Sequence, residues 1–142
     1  LGRVLKGRPV IPGRARGEVL KTGQPLSFWG GVDFRTGLVV DPGHELHQVP
    51  LAGKVLVFPL AKGSSGAGLV ILELVRSGLA PAAMINLRSE LVLAAGPLLA
   101  RHFYGHELPV VTLEEEEFGL LETGQRVAVD GGAGEVVLED PE

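Results

Sequence analysis

The sequence predicts a single α/β domain over residues 1–142, a parallel βαβαβ core packed against an additional layer of strands. Three observations carry this expectation. In the second half, short β-branched apolar runs alternate with helical stretches, the pattern of parallel strands joined by crossover helices. Strand-like runs dominate both ends of the chain. Hydrophobic residues make up 45% and charged residues 21% of the 142 positions, enough apolar surface for one real core.

Residues 3–6 and 16–21 read as short strands separated by the turn at Ile11-Pro12-Gly13. The stretch Gln24 to Asp33 has neither periodicity, yet it holds the chain's one Trp beside a glycine pair. Leu38 to Val40 reads as a strand that stops at Asp41-Pro42-Gly43, and residues 44–53 as a polar connection. Lys54 to Leu60 is a buried strand by composition, followed by a small-residue loop, Gly63 to Gly68. A helix is expected from about Ala67 to Ser77, with Gly78 as its C′ residue. Ala82 to Leu87 is a buried strand, and Ser89-Glu90 reads as the cap of a helix over Leu91 to Tyr104. Gly96-Pro97 is expected to kink that helix or split it. Leu108 to Leu113 is a third buried strand, and Glu114 to Leu121 a short helix with an acid-rich first turn. Residues 126–130 and 135–139 form a β-hairpin around Gly131 to Gly134.

Composition excludes several functions. A net charge of −4 leaves no basic stripe for nucleic acid. Cys is absent, which removes disulfides, thiolate catalysis and iron–sulfur ligation by this chain. The longest apolar runs, such as Leu91 to Ala100 with Gly96 and Pro97 inside, are too short to span a bilayer. Arg3, Lys6 and Arg8 lie near the N-terminus without an apolar stretch, so no signal peptide and a cytoplasmic location are expected.

Two loops stand out. Lys62-Gly63-Ser64-Ser65-Gly66 joins a buried strand to a helix, where amides and the helix dipole favour an anion or an ionised serine. The bland alternative is a turn with an ordinary serine cap. No Gly-Lys-Ser/Thr closes it as a P-loop, and its glycine spacing is not a dinucleotide fingerprint. Ser27-Phe28-Trp29-Gly30-Gly31 is either a core anchor with a tight turn or a loop that closes over a ligand or a partner chain. Asp41, His44, Glu45 and His47 match no metal-site spacing and read as a surface connection, so no metal site is expected. His102 and His106 read as structural or solvated, and Glu114 to Glu117 as a solvated helix face.

As a set, several segments resemble the small, swivel-domain subunit of the aconitase X family. They are Leu26 to Asp33, Thr36-Gly37, Asp41 with His44, Gly53 to Val57, Lys62 to Ser65, Leu72 to Leu74, Gly78 to Ala83, and Tyr104-Gly105 with Pro109 to Val111. The resemblance runs through nearly the whole chain in order. It implies a swivelling β/β/α domain docked on a separate large subunit, a heterodimer whose iron–sulfur cluster sits on that partner. It also implies hydro-lyase (dehydratase) chemistry on a small hydroxy-acid, with Ser64 as catalytic base. Ser65, Gly63, Gly66 and Lys62 would bind substrate, and Ser27, Phe28, Trp29, Gly30, Gly31, Asp41 and His44 would form the partner or active-site loop. Alone, the chain is expected to be folded, colourless and inactive.

The family's reactions include dehydration of cis-3-hydroxy-L-proline and of mevalonate 5-phosphate. The Phe-Trp-Gly-Gly and Gly-Ser-Ser forms suggest the former, with the latter as alternative. Two departures from the family pattern fall at Glu45 and Gln48, which replace Pro and Gly. Aconitase itself carries an Arg after the serine pair, where Gly66 stands here. Two other classes compete. A non-catalytic docking module would leave Ser64 dispensable, and a phosphohistidine carrier would need a histidine between Gly63 and Gly68, where none occurs.

Overall fold

The computed structural model describes residues 2–62, 66–88 and 91–139. Eight strands and three helices follow one another as β1 (Val4–Lys6), β2 (Arg8–Ile11), β3 (Arg14–Lys21), β4 (Val55–Val57), α1 (Ala67–Arg76), β5 (Ala83–Asn86), α2 (Leu91–Tyr104), β6 (Val110–Thr112), α3 (Glu115–Phe118), β7 (Arg126–Asp130) and β8 (Glu135–Leu138). The strand order is β1-β8-β7-β3-β4-β5-β6-β2. β3, β4, β5 and β6 run parallel, as the βαβαβ pattern predicts, while β7, β8, β1 and β2 add antiparallel pairs.

The two ends of that order, β1 and β2, are neighbours in the chain with Gly7 alone between them, so the sheet is joined end to end. Gly7 is required by space: a Cβ there would lie 2.2 Å from the Thr112 carbonyl oxygen. Bringing the two ends together through the chain gives the sheet an inside. Alternation along the strands sorts side chains to the two faces. Leu5, Val19, Val55, Val57, Ala83, Ile85, Val111, Val127, Val129 and Val136 fill the interior, capped by Leu113, Phe118 and Leu121. Leu20, Leu56, Met84 and Val110 point outward and meet α1 and α2 through Ile71, Leu74, Leu93 and Ala100. The layers are therefore β, β and α, in the expected order.

α1 starts and stops as expected, with Ser77 as C-cap and Gly78 at φ +74°. Four expectations need correction. Arg8–Ile11 is a strand, hidden in the sequence by Pro9, which is tolerated because the β2–β6 register is irregular between Pro9 and Ile11. Leu38 to Val40 makes only isolated bridges, Val32 with Val39 and Leu38 with Pro50. Residues 44–53 are not simply polar, since His44, Leu46 and Leu51 are buried. Gly96-Pro97 does not split the second helix, which runs on from Leu91 to Tyr104 with Pro97 inside. Glycines make its contact with α1: a Cβ on Gly96 would lie 2.8 Å from the Gly68 carbonyl oxygen and 2.9 Å from Ile71 Cβ. The expected Ser89-Glu90 cap lies outside the described residues.

Candidate active-site edge

Parallel strands deliver their connections to one edge, and in α/β sheets ligands bind at the carboxyl ends of the strands. β4 and β5 are neighbours there, and each is followed by a cation, Lys62 after β4 and Arg88 after β5. The two exits are tied together. Pro59 carbonyl oxygen accepts from the Leu87 and Arg88 amides at 3.0 and 3.1 Å. The Asn86 side chain, fully buried at the end of β5, donates to the Phe58 carbonyl oxygen at 3.1 Å. Asn86 was legible only as a polar residue closing a buried strand. Among the described residues Lys62 has no carboxylate partner.

Gly63, Ser64 and Ser65 lie outside the described residues, so the expected catalytic serine is bracketed by Lys62 and Gly66. Gly66 is the N-cap of α1 at φ −70° and ψ −13°, and being a glycine it offers no side-chain cap of its own. On the other side, the 24–26 segment is laid along the exit of β4. Leu26 N donates to the Leu60 carbonyl oxygen at 3.1 Å, and Lys62 N donates to that of Leu26 at 3.0 Å.

That segment leads into the tryptophan loop. Phe28 is fully buried and meets Phe58 edge to face at 5.9 Å, which resolves the core-anchor reading in favour of Phe28. Trp29 turns the other way and is 57% exposed. The Ser27 hydroxyl donates to the Trp29 carbonyl oxygen at 3.0 Å. The turn needs both glycines: Gly30 sits at φ +82°, and a Cβ on Gly31 would lie 2.1 Å from the Ser27 carbonyl oxygen. Trp29 nevertheless touches the other loop. A Cβ on Gly66 would lie 2.3 Å from Trp29 Cε3 and 2.5 Å from Cδ2. The two loops singled out in the sequence are in contact.

His44 and Asp41 join them indirectly. Asp41 Oδ1 accepts from the Gly43 amide at 2.9 Å, and its carbonyl oxygen from the His44 amide at 3.1 Å, which closes a turn. His44 is buried within it. Its Nδ1 accepts from the Leu46 amide at 3.0 Å, so the proton belongs on Nε2, which donates to the Pro25 carbonyl oxygen at 3.1 Å. Glu45 holds the same segment: its carboxylate accepts from the Thr22 hydroxyl and from the Gly23 amide, and its amide donates to Gln24 Oε1 at 3.0 Å. The Thr22 hydrogen bond, helped by the Gly23 amide, lowers the Glu45 pKa from 4.5 against the opposing effect of desolvation. Residues 41–46 are thus a clamp on the strand exit that carries Phe28 and Trp29. Thr22 and Gln24 were not singled out as site residues, and nothing local in the sequence marks them; Glu45 was noticed only as a surface-connection residue and a departure from the family pattern.

Other candidates stay apart. Among the described residues no group of three or more His, Asp or Glu could hold a metal ion. No helix is long and apolar enough to cross a membrane. His102 and His106 are exposed at and beyond the end of α2. A groove of about 520 Å³ between Arg14–Arg16, Ala128–Asp130 and Val137 lies toward the amino end of β3, away from these loops. Its surface ion pairs, such as Arg14 with Asp130 at 3.4 Å, organise no reactive group.

The model of the aconitase X swivel domain matches residues 4–138. This chain belongs to the aconitase X family. It is 41% identical over 134 residues to the phosphomevalonate dehydratase small subunit of Methanococcoides burtonii, covering 94% of this chain and 93% of that protein. It is 40% identical over 139 residues to the small subunit of the same name from Thermococcus kodakarensis, covering 97% and 98%. The crystal structure of Thermococcus kodakaraensis aconitase X in its holo form superposes with a TM-score of 0.89 at 38% identity, covering 98% of this chain and 100% of that one. The aconitase X chain described here is therefore of the small-subunit, hydro-lyase type. Its departures from the family pattern acquire physical meaning. Gln48 stands where glycine is expected, and it keeps the glycine-type conformation at φ +69°. Gly66 stands where aconitase has Arg, in space that Trp29 covers.

Proposed function

We propose that this chain is the small subunit of a heterodimeric iron–sulfur dehydratase acting on mevalonate 5-phosphate, with Ser64 as the base. The observation that carries the reading is end-to-end similarity to small subunits of that name, at a strand–loop–helix edge suited to anions. It replaces cis-3-hydroxy-L-proline, which the loop motifs suggest, as the preferred substrate. Mevalonate 5-phosphate is a β-hydroxy carboxylate with a phosphate at its far end, so it offers anionic groups to Lys62 and Arg88 at one edge.

The chemistry asked of the chain is proton abstraction. Ser64 takes a proton from the carbon next to the carboxylate, the C–H electron pair becomes the double bond, and the C–O bond breaks with its pair going to the departing hydroxide; that hydroxide and the proton held by Ser64 together make up the water released. Ser64 precedes Gly66 by two residues, so the hydroxyl belongs to the connection that opens α1. A serine hydroxyl is a poor base at neutral pH, and amides at a helix opening with a nearby cation favour its ionised form. Ser65, Gly63 and Gly66 would supply hydrogen bonds to substrate oxygens. This chain has no cysteine to hold a cluster. A cluster on the large subunit would supply Lewis acidity at the leaving hydroxyl.

The test is co-expression with the large subunit, anaerobic purification, and assay of both substrates side by side. Turnover of mevalonate 5-phosphate is expected, and preference for cis-3-hydroxy-L-proline would overturn the substrate. Ser64→Ala is expected to lower kcat by at least a hundredfold, and wild-type turnover in that variant would remove Ser64 as base.

A further inference from the structure

Gly66 poses a question its backbone does not answer. At φ −70° and ψ −13° it has ordinary helical geometry, which any residue adopts. Glycine at an N-cap is common, yet Ser, Asn or Asp would cap α1 better. What forbids a side chain is Trp29: a Cβ at position 66 would lie 2.3, 2.5 and 2.9 Å from three contiguous atoms of the indole, Cε3, Cδ2 and Cζ3. The chain on both sides of the ring is held. Phe28 next to it is locked in the core against Phe58, Ser27 Oγ holds the Trp29 carbonyl oxygen, and Gly30–Gly31 turn the chain tightly away. Upstream, the bonds from His44 to Pro25 and from Glu45 to Thr22 and Gly23 anchor the strand exit.

We propose that Trp29 is a positioning residue for the dehydration, its indole seated on Gly66 to fix the end of the connection that carries Ser64. A large, rigid ring loses little entropy when immobilised, and it excludes water from the first turn of α1 on the side it covers. The same packing leaves no room for the Cβ of an Arg at 66 while the indole stays in place. Anchoring of a substrate carboxylate then falls to other groups. The face of Trp29 turned away from Gly66 is open, consistent with 57% exposure, and is available to the substrate or to the large subunit. The catalytic part of this inference rests on the proposed role of Ser64; the packing part does not.

Trp29 is the only tryptophan, so the full chain reports on this contact without a label. Gly66→Ala is expected to displace the indole, shifting emission to longer wavelength and raising acrylamide quenching about twofold. In the complex with the large subunit, Gly66→Ala and Trp29→Ala are each expected to lower kcat ten- to a hundredfold, since displacement of a reacting group by about 1 Å costs on that order. Trp29→Phe, which keeps a flat ring over Gly66, is expected to recover most of that loss. Trp29→Ala/Gly66→Ala is expected to be no worse than Trp29→Ala, because the added methyl then has room. Unchanged emission and quenching in Gly66→Ala overturns the contact. Wild-type kcat in Trp29→Ala, equal losses in Trp29→Ala and Trp29→Phe, or additive losses in the double variant overturn the positioning role. If Ser64→Ala stays active while the fluorescence response appears, the base assignment fails and the packing survives.

Discussion

Gly96→Ala sets two measurable effects against each other. Replacing an interior helical glycine by alanine ordinarily gains about 1 kcal/mol, because glycine loses the most backbone entropy on folding. Here the new Cβ would lie 2.8 Å from the Gly68 carbonyl oxygen, 2.9 Å from Ile71 Cβ and 3.0 Å from Ile71 Cγ2. None of the first two is the end of a flexible side chain. Relief requires α1 and α2 to move apart, opening the fully buried contact around Ile71 and Leu93. Overpacking of this kind costs about 1–3 kcal/mol, and a backbone oxygen as obstacle puts the case near the upper end. The net expectation is a loss of about 1–2 kcal/mol, a fall in Tm of roughly 3–8 °C for a domain of this size. Denaturant titration of the chain measures it directly. Ala95→Gly, at an exposed position in the same helix, is the companion and should lose about 1 kcal/mol through propensity alone. A Gly96→Ala chain as stable as wild type, or more stable, would show that the helices are not in glycine-limited contact.

Two further outcomes concern the clamp. His44→Ala removes both a donor to the Pro25 carbonyl and an acceptor for the buried Leu46 amide, and should cost about 2–4 kcal/mol; His44→Asn, whose amide can still accept from residue 46, should cost about half as much in the same melts. Glu45 adds an acid dependence. Its pKa is lowered in the folded chain, so its contribution is fully present above the unfolded value near 4.5 and is lost as pH falls below it. Thr22→Val removes the main cause, so Tm measured from pH 6 to pH 3 should fall less steeply in that variant than in wild type; identical slopes would detach Thr22 from the effect.

The parallel half of the fold was readable because each of its signals is local. β4, β5 and β6 are apolar runs between turn residues, and α1 stops at a glycine that its C′ position requires. The end-to-end joining of the sheet was not readable. It depends on Gly7, whose lack of a side chain matters only because Thr112 arrives from more than a hundred residues away. Arg8–Ile11 was lost for the same reason: a proline strand looks like a turn until its irregular partner is known. The candidate site divides in the same way. Gly-Ser-Ser and Phe-Trp-Gly-Gly were visible as unusual composition, and their contact through Trp29 and Gly66 was not. His44 was visible as a polar candidate, but its role as a buried staple needed Pro25 and Leu46 in place. Gln48 shows the limit most clearly, since a left-handed backbone at a glutamine contradicts every local preference.

The geometry also bears on why a small subunit of this kind would work only in company. A serine can act as base only where its ionised form is held by fixed dipoles and kept from bulk water. The chain supplies the fixed part: strand exits bonded to one another through Pro59 and Phe58, a helix opening covered on one side by the Trp29 indole, and a clamp that holds the segment carrying Trp29. Its described residues do not supply the dry part. Arg88 and the outer face of Trp29 are exposed at the edge where the reaction is proposed. Under the proposed function a surface of the large subunit would close that edge, and the ligands for a cluster would come with it, since cysteine is absent here. Under the proposed function both are contributed by one docking event, so desolvation of the base and arrival of the Lewis acid are coupled. The chain alone should then bind substrate weakly and turn over none, and adding the large subunit should restore both together.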